Sequence, residues 1–262
     1  MEKLRVLDLF SGIGGFSLGL ERTGGFETVA FCEIEEFPRR VLAKHWPEVP
    51  CYHDVRELTA DKLAADGISV DVITGGFPCQ DLSLAGKKAG MGEGTRSGLW
   101  SEIDRLIGEL RPQLVIVENV ANLLSGPSEQ PGGWFGRVLG DLAALGYDAE
   151  WHCIPATYLG AWHRRDRVWL LAYTNKECGQ QGIAKGPIFG QRNLLQQSSR
   201  SFARWPGRSN LPKSRICGRH DGIPDVVDRI AALGNAVVPQ IPELIGYAIL
   251  EAIARKAEGE AA

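Results

Sequence analysis

The chain has 262 residues, 44% of them hydrophobic and 23% charged, with a formal net charge of −3. That length can bury one large core with a small appended lobe. No run reaches the roughly 18 uninterrupted apolar residues of a membrane helix, and MEKLRVLDLF enters a strand-like pattern without a signal-peptide layout, so a soluble cytoplasmic protein is expected. Six cysteines, scattered singly, fit a reduced compartment without disulfides.

The charge is unevenly distributed. Residues 174–219 carry nine Lys or Arg against one acid, Glu177, which makes that stretch +8 and leaves −11 for the remainder. An acidic body with one basic surface for a polyanion fits this division, and so does a solvated basic loop.

In chain order, LRVLDLF, ETVAFCE, VDVITGGF, QLVIVENV, DAEWHCI and RVWLLAY read as strands, with a further strand end expected near Asp54 in CYHDVREL. SLGLERTG, EEFPRRVLAKHW, SGLWSEIDRLIGEL and WFGRVLGDLAALG, lying between them, have helical spacing of apolar residues. The alternation predicts an α/β fold, a doubly wound and mainly parallel sheet covered on both faces. Residues 174–221 dissolve into Gly, Gln, Ser, Arg and Pro and predict a small irregular lobe. Helical periodicity returns in VVDRIAALG and in IPELIGYAILEAIARKA after Pro239. The expected division is therefore 1–173 with 222–262 as the main domain and 174–221 as a basic region.

Ligands of such sheets bind at the carboxyl ends of the strands. The first strand ends in DLFSGIGGFSLGL, whose Gly12, Gly14 and Gly15 suit either a tight strand-to-helix turn or close approach to a ligand. Ser17 stands where the dinucleotide fingerprint G-x-G-x-x-G needs its last glycine, and Asp8 would repel a pyrophosphate, so a dehydrogenase is disfavoured. A carboxylate at Asp8 instead suits a cationic ligand. Glu33, 21 residues after Gly12, can accept from both hydroxyls of a ribose, and Asp54 from an adenine amino group. The fourth strand delivers Cys79 in GGFPCQDLS. A free cysteine is usually a small buried hydrophobe, but this one precedes a long glycine-rich loop suited to closing over a substrate. The fifth strand ends in Glu118-Asn119-Val120, which puts a carboxylate on the same edge.

DLFSGIGGFS, GGFPCQDLS, RSGLW, ENV, RRDRVW and GNAVVP together resemble the DNA (cytosine-5)-methyltransferases in order and approximate spacing, from residue 6 to about 240 apart from the basic stretch, with small phage-type members nearest. The resemblance implies a Rossmann-like methyltransferase that uses S-adenosylmethionine, leaves S-adenosylhomocysteine and needs no metal. Cys79 would be the nucleophile and Glu118 the acid on the cytosine N3 edge, with Arg165 and Arg167 fixing the cytosine O2. Phe10 would stack on adenine beside Ser11 and Ile34, and Gly12 and Gly14 would admit the methionine moiety. Glu33 would hold ribose and Asp54 the adenine, with Pro78, Leu99 and Asn235 lining the pocket. Duplex DNA is the implied substrate, contacted by Gln80, Ser83, Lys87 and Lys88 on the glycine-rich loop and by Arg192, Arg200, Arg204 and Arg208 in the basic region.

The sequence departs from the family at His163, where glutamine is usual, and the 174–221 region is short for a sequence-reading domain. A cognate restriction endonuclease or none, and a monomer, are expected. Two other readings are an RNA (tRNA) cytosine-5 methyltransferase and a catalytically vestigial DNA-binding regulator. The intact Cys79, Glu118 and arginine pair argue against the second.

Overall fold

The computed structural model describes residues 2–77, 99–124, 133–161, 165–174, 188 and 232–260. The strands are β1 (Leu4–Leu9), β2 (Phe26–Cys32), β3 (Cys51–Tyr52), β4 (Val72–Gly75), β5 (Leu114–Val120), β6 (Tyr147–Pro155) and β7 (Asp166–Thr174). The helices are α1 (Gly15–Glu21), α2 (Glu36–His45), α3 (Ala60–Ala65), α4 (Trp100–Leu110), α5 (Gly133–Ala144) and α6 (Gln240–Glu260). All six long strands expected from the sequence form. The short helix α3 was not foreseen; Thr59 starts it by accepting from the Lys62 N–H as an N-cap.

The strands make one seven-stranded sheet in the order β3-β2-β1-β4-β5-β7-β6. Its first five members pair in parallel, whereas β7 runs antiparallel to both β5 and β6. The reason is the link between β6 and β7, residues 156–165, which is too short for the helical crossover that a parallel pair needs. The sheet is mainly parallel, as expected, with an antiparallel edge.

Period-two alternation sorts the strand residues into two cores. Leu7, Leu9, Ile73, Val115, Val117, Val168 and Leu170 face one side with Trp100, Ile103 and Val138 from α4 and α5. Val6, Val72, Leu114, Ile116, Trp169 and Leu171 face the other with Phe16 and Leu20 of α1 and Ile241, Leu244, Ile245 and Ile249 of α6. Both faces are covered, so the strands read as nearly continuous apolar runs. The stretch Ala232–Glu258 is, among the described residues, the one helical stretch long and apolar enough to cross a membrane. Its four buried residues named above put much of that apolar character into the core.

Two residues of the 174–221 region are described: Thr174, which is buried and closes β7, and Ile188. Ile188 is buried in the second core, and its N–H donates to Glu150 Oε1 at 2.5 Å. Residues 226–231 of VVDRIAALG lie outside the described residues, and 232–235 are helical.

Candidate active site

The site is built at the carboxyl edge, from the ends of β1, β2, β4, β5 and the start of β7. β4 ends at Gly75, which pairs with Val117, so the next residues, Gly76 and Phe77, run beside Glu118 and Asn119. A Cβ on Gly76 would stand 3.3 Å from Glu118 Oε2. The carboxylate of Glu118 thus overlies the backbone three residues before Cys79. Asn119 fastens the same backbone: its Nδ2 donates to the Phe77 carbonyl at 3.1 Å, and its Oδ1 accepts from the Val120 N–H at 2.8 Å. Cys79, Pro78, Gln80, Ser83, Lys87 and Lys88 lie outside the described residues, as do Arg192, Arg200, Arg204, Arg208 and His163.

Glu118 is 8% exposed, and Arg167 Nε lies 3.0 Å from its Oε1. Burial pushes the Glu118 carboxyl above its ordinary pKa, and the cations of Arg167 and Arg165 oppose that shift. A buried carboxyl with a raised pKa in such a site is a candidate for proton transfer. Arg167 reaches it because β7 is antiparallel to β5, with Val120 opposite Arg167. Arg165, two residues earlier, has φ 34° and donates from Nη1 to the Gly234 carbonyl at 2.7 Å. The structure therefore brings Glu118 and Arg167 together and sends a hydrogen bond of Arg165 to the GNAVVP segment.

The glycine loop joins β1 to α1. Gly14 has φ 84°, and a Cβ there would stand 2.6 Å from the Trp46 ring, so glycine is required on two counts. At Gly12 (φ 52°) a Cβ would meet nothing within 4 Å, which leaves room for a ligand against the backbone. The Gly12 N–H donates to Glu33 Oε2 at 2.7 Å, and Glu33 Oε1 accepts from the Glu35 N–H at 2.8 Å. Burial raises the Glu33 pKa against these bonds. Phe10 takes φ 51° and packs partly against the first core; Ile34 is half exposed. Leu99 sits at the N-cap of α4, half-buried against the same core, and Asn235 is exposed.

Three expected ligands have other partners here. The Ser11 hydroxyl donates to the Asp8 carbonyl and accepts from the Cys32 N–H, so it staples β1 to β2. Asp54 caps the 3-10 turn Val55–Glu57 by accepting from the Arg56 N–H, and Arg56 Nη2 reaches its Oδ2 at 2.6 Å. The Arg56 guanidinium holds the Asp54 pKa below the ordinary carboxylate value. Asp8 does not face a cationic ligand, contrary to the sequence reading. It is wholly buried, with Oδ2 accepting from Ser17 Oγ and Oδ1 from Thr74 Oγ1, both at 2.8 Å. Burial pushes its pKa up to about 7. The carboxylate ties β1 to α1 and β4 beneath the loop. Hydroxyl residues inside apolar runs, Ser17 and Thr74, were the sequence signal for that cluster.

The Rossmann-like sheet thus carries a glycine loop after β1, an acid after β2 and a carboxyl–arginine pair on β5 and β7, all at its carboxyl edge, where ligands of such sheets bind. Residues 4–201 match the family model of C-5 cytosine-specific DNA methylases, and the chain belongs to that family. It is 35% identical over 198 residues to the type II methyltransferase M.Sau3AI of Staphylococcus aureus, covering 72% of this chain and 48% of that protein. It is 37% identical over 173 residues to the type II methyltransferase M2.BsuMI of Bacillus subtilis (strain 168), covering 64% and 42%. The chain thus spans under half the length of each of these relatives. The crystal structure of S. pombe Dnmt2 methyltransferase shares the fold, with a TM-score of 0.57 and 21% identity over 82% of this chain and 58% of that one.

Proposed function

We propose that the chain transfers a methyl group to C5 of a cytosine flipped out of duplex DNA, through a transient bond between Cys79 and C6. The observation that carries this reading is the buried Glu118–Arg167 pair beside Gly76, three residues from Cys79. Family membership and its type II methyltransferase relatives support the substrate class.

Cytosine C5 is a weak nucleophile and gains electron density when a thiolate adds at C6. Glu118 holds a proton against N3 during that addition, which makes C6 more electrophilic. Arg167 steadies Glu118 and reaches the O2 edge of the same ring, and the arginine field favours the thiolate form of Cys79. S-adenosylmethionine, when bound, supplies the methyl that C5 takes, leaving as S-adenosylhomocysteine. Loss of the C5 proton to a base then re-forms the ring double bond and releases the Cys79 thiolate.

Support for that cofactor comes from the open space at Gly12 and the buried acid Glu33 bonded to its N–H. Phe10, Ile34, Leu99 and Asn235 are the residues we assign to the adenine and methionine ends, with Pro78. Asp54 accepts from the adenine amino group once Arg56 releases one of its carboxylate oxygens. We assign 1–173 with 222–262 to catalysis and 174–221 to DNA contact, at work in the cytoplasm.

DNA amplified with 5-fluorocytosine in place of cytosine tests the proposal. Fluorine cannot leave as a proton does, so the wild-type chain should form a denaturant-stable adduct that needs S-adenosylmethionine and is absent in Cys79→Ser. Turnover retained by Cys79→Ser would overturn the nucleophile assignment.

A further inference from the structure

GNAVVP, residues 234–239, matches the family in sequence but has so far contributed only Asn235. Its contacts give it a larger part. The left-handed backbone at Arg165, φ 34° in a residue with a side chain, persists only where its surroundings hold it. Its side chain is anchored there, with Arg165 Nη1 donating to the Gly234 carbonyl at 2.7 Å. Three residues on, Val237 lies flush against the first turn of α1, where a Cβ on Gly15 would stand 2.5 Å from the Val237 carbonyl oxygen. Pro239 closes on Gly19 in the same way. Gly15 follows directly on the glycine loop, whose Gly12 N–H is bonded to Glu33.

We infer that Arg165 is a positioning residue for the cofactor: it locks the Gly234–Val237 segment, and through it the glycine loop, to the start of β7, whose Arg167 holds Glu118. This rests on the methyltransferase reading above. Arg165 and Arg167 then divide the work by direction. Arg167 faces the base through Glu118, and Arg165 braces the segment that backs the nucleoside pocket. A guanidinium has five N–H donors, so one bond to Gly234 leaves the others available.

The test is calorimetric titration of S-adenosylhomocysteine and S-adenosylmethionine into the full chain without DNA. Arg165→Ala should weaken both about tenfold, the effect of losing one charge-assisted hydrogen bond. Arg165→Lys should recover part of the loss, because an ammonium can donate to the same carbonyl without the fixed fork. Gly15→Ala pushes Val237 away from the other side and should weaken cofactor binding in kind. The double variant should lose less than the product of the two single losses, since both disturb one segment. Cofactor affinity within twofold of wild type in Arg165→Ala, with methyl transfer at saturating cofactor reduced, would overturn the inference and leave Arg165 as a base contact. A wild-type chain that binds neither ligand would overturn the methyltransferase reading itself, and the brace with it.

Discussion

Arg167 Nε lies 3.0 Å from Oε1 of Glu118, across the antiparallel β5–β7 pair. Burial raises the pKa of this carboxyl, and the arginine opposes that shift. A carboxyl with a raised pKa suits proton transfer to a base. Glu118→Gln keeps the shape but cannot titrate. It should slow single-turnover methyl transfer by about 10²-fold or more while DNA affinity changes little. The sign of the pH effect follows from the raised pKa: the acid form is lost as pH rises through it. The wild-type rate should therefore fall on the alkaline side, and the Gln variant should lack that limb. Equal losses in rate and binding would mean that Glu118 only seats the base.

Asn119 holds the Phe77 carbonyl, two residues before Cys79. Asn119→Asp keeps the acceptor for the Val120 N–H and removes the donor to Phe77. Single-turnover transfer should drop by roughly tenfold, in line with a lost buried hydrogen bond, while cofactor affinity stays within about twofold. Single-turnover kinetics beside a cofactor titration make the comparison. A loss confined to cofactor binding would show that the clamp serves the other half of the site.

Asp8 gives a stability prediction. Its pKa is pushed from 3.8 to about 7 by burial. The folded form therefore binds a proton that the unfolded chain has already released above about pH 4. Stability from this group is fully present below the unfolded value and is lost as pH rises towards 7, by at most about 1.4 kcal/mol per pH unit. Asp8→Asn can both donate to and accept from the Ser17 and Thr74 hydroxyls and does not ionise. Thermal unfolding between pH 4.5 and 8 should show the variant gaining on wild type as pH rises. A constant offset across that range would contradict the assignment.

Much of this arrangement was legible beforehand. Short β-branched and aliphatic runs in QLVIVENV and RVWLLAY marked β5 and β7 in advance, and the ENV and RRDRVW segments pointed to Glu118 and Arg167. The antiparallel direction of β7 was less visible, because an apolar run carries no direction and only the short β6–β7 link decides it. Asp8 was misread for a physical reason. An acid at a strand end looks the same in sequence whether it faces solvent or is capped by two hydroxyls that arrive from α1 and β4. The Arg165–Gly234 bond joins residues 69 apart and left no local trace. Asp54 was found at its strand end, but its engagement with Arg56 depends on a side-chain rotamer that spacing cannot express.

The basic stretch carries the remaining claim about DNA. Beyond the end of β7, its described residue is Ile188, packed into the second core. Replacing Arg200, Arg204 and Arg208 together with glutamine should flatten the dependence of log affinity on log salt by about 0.9 per phosphate contact, close to 3 if all three make one. Cofactor affinity should not move. An unchanged salt slope would make the stretch a solvated loop and place DNA reading elsewhere on the chain.

The most direct measurement is base-resolution mapping of 5-methylcytosine in genomic DNA from a host without cytosine methylation, after incubation with the purified chain and S-adenosylmethionine. The account predicts 5-methylcytosine at a recurring sequence context with the wild-type chain and none with Cys79→Ser. Unmodified DNA from the wild-type reaction, or an equal pattern from Cys79→Ser, would contradict it.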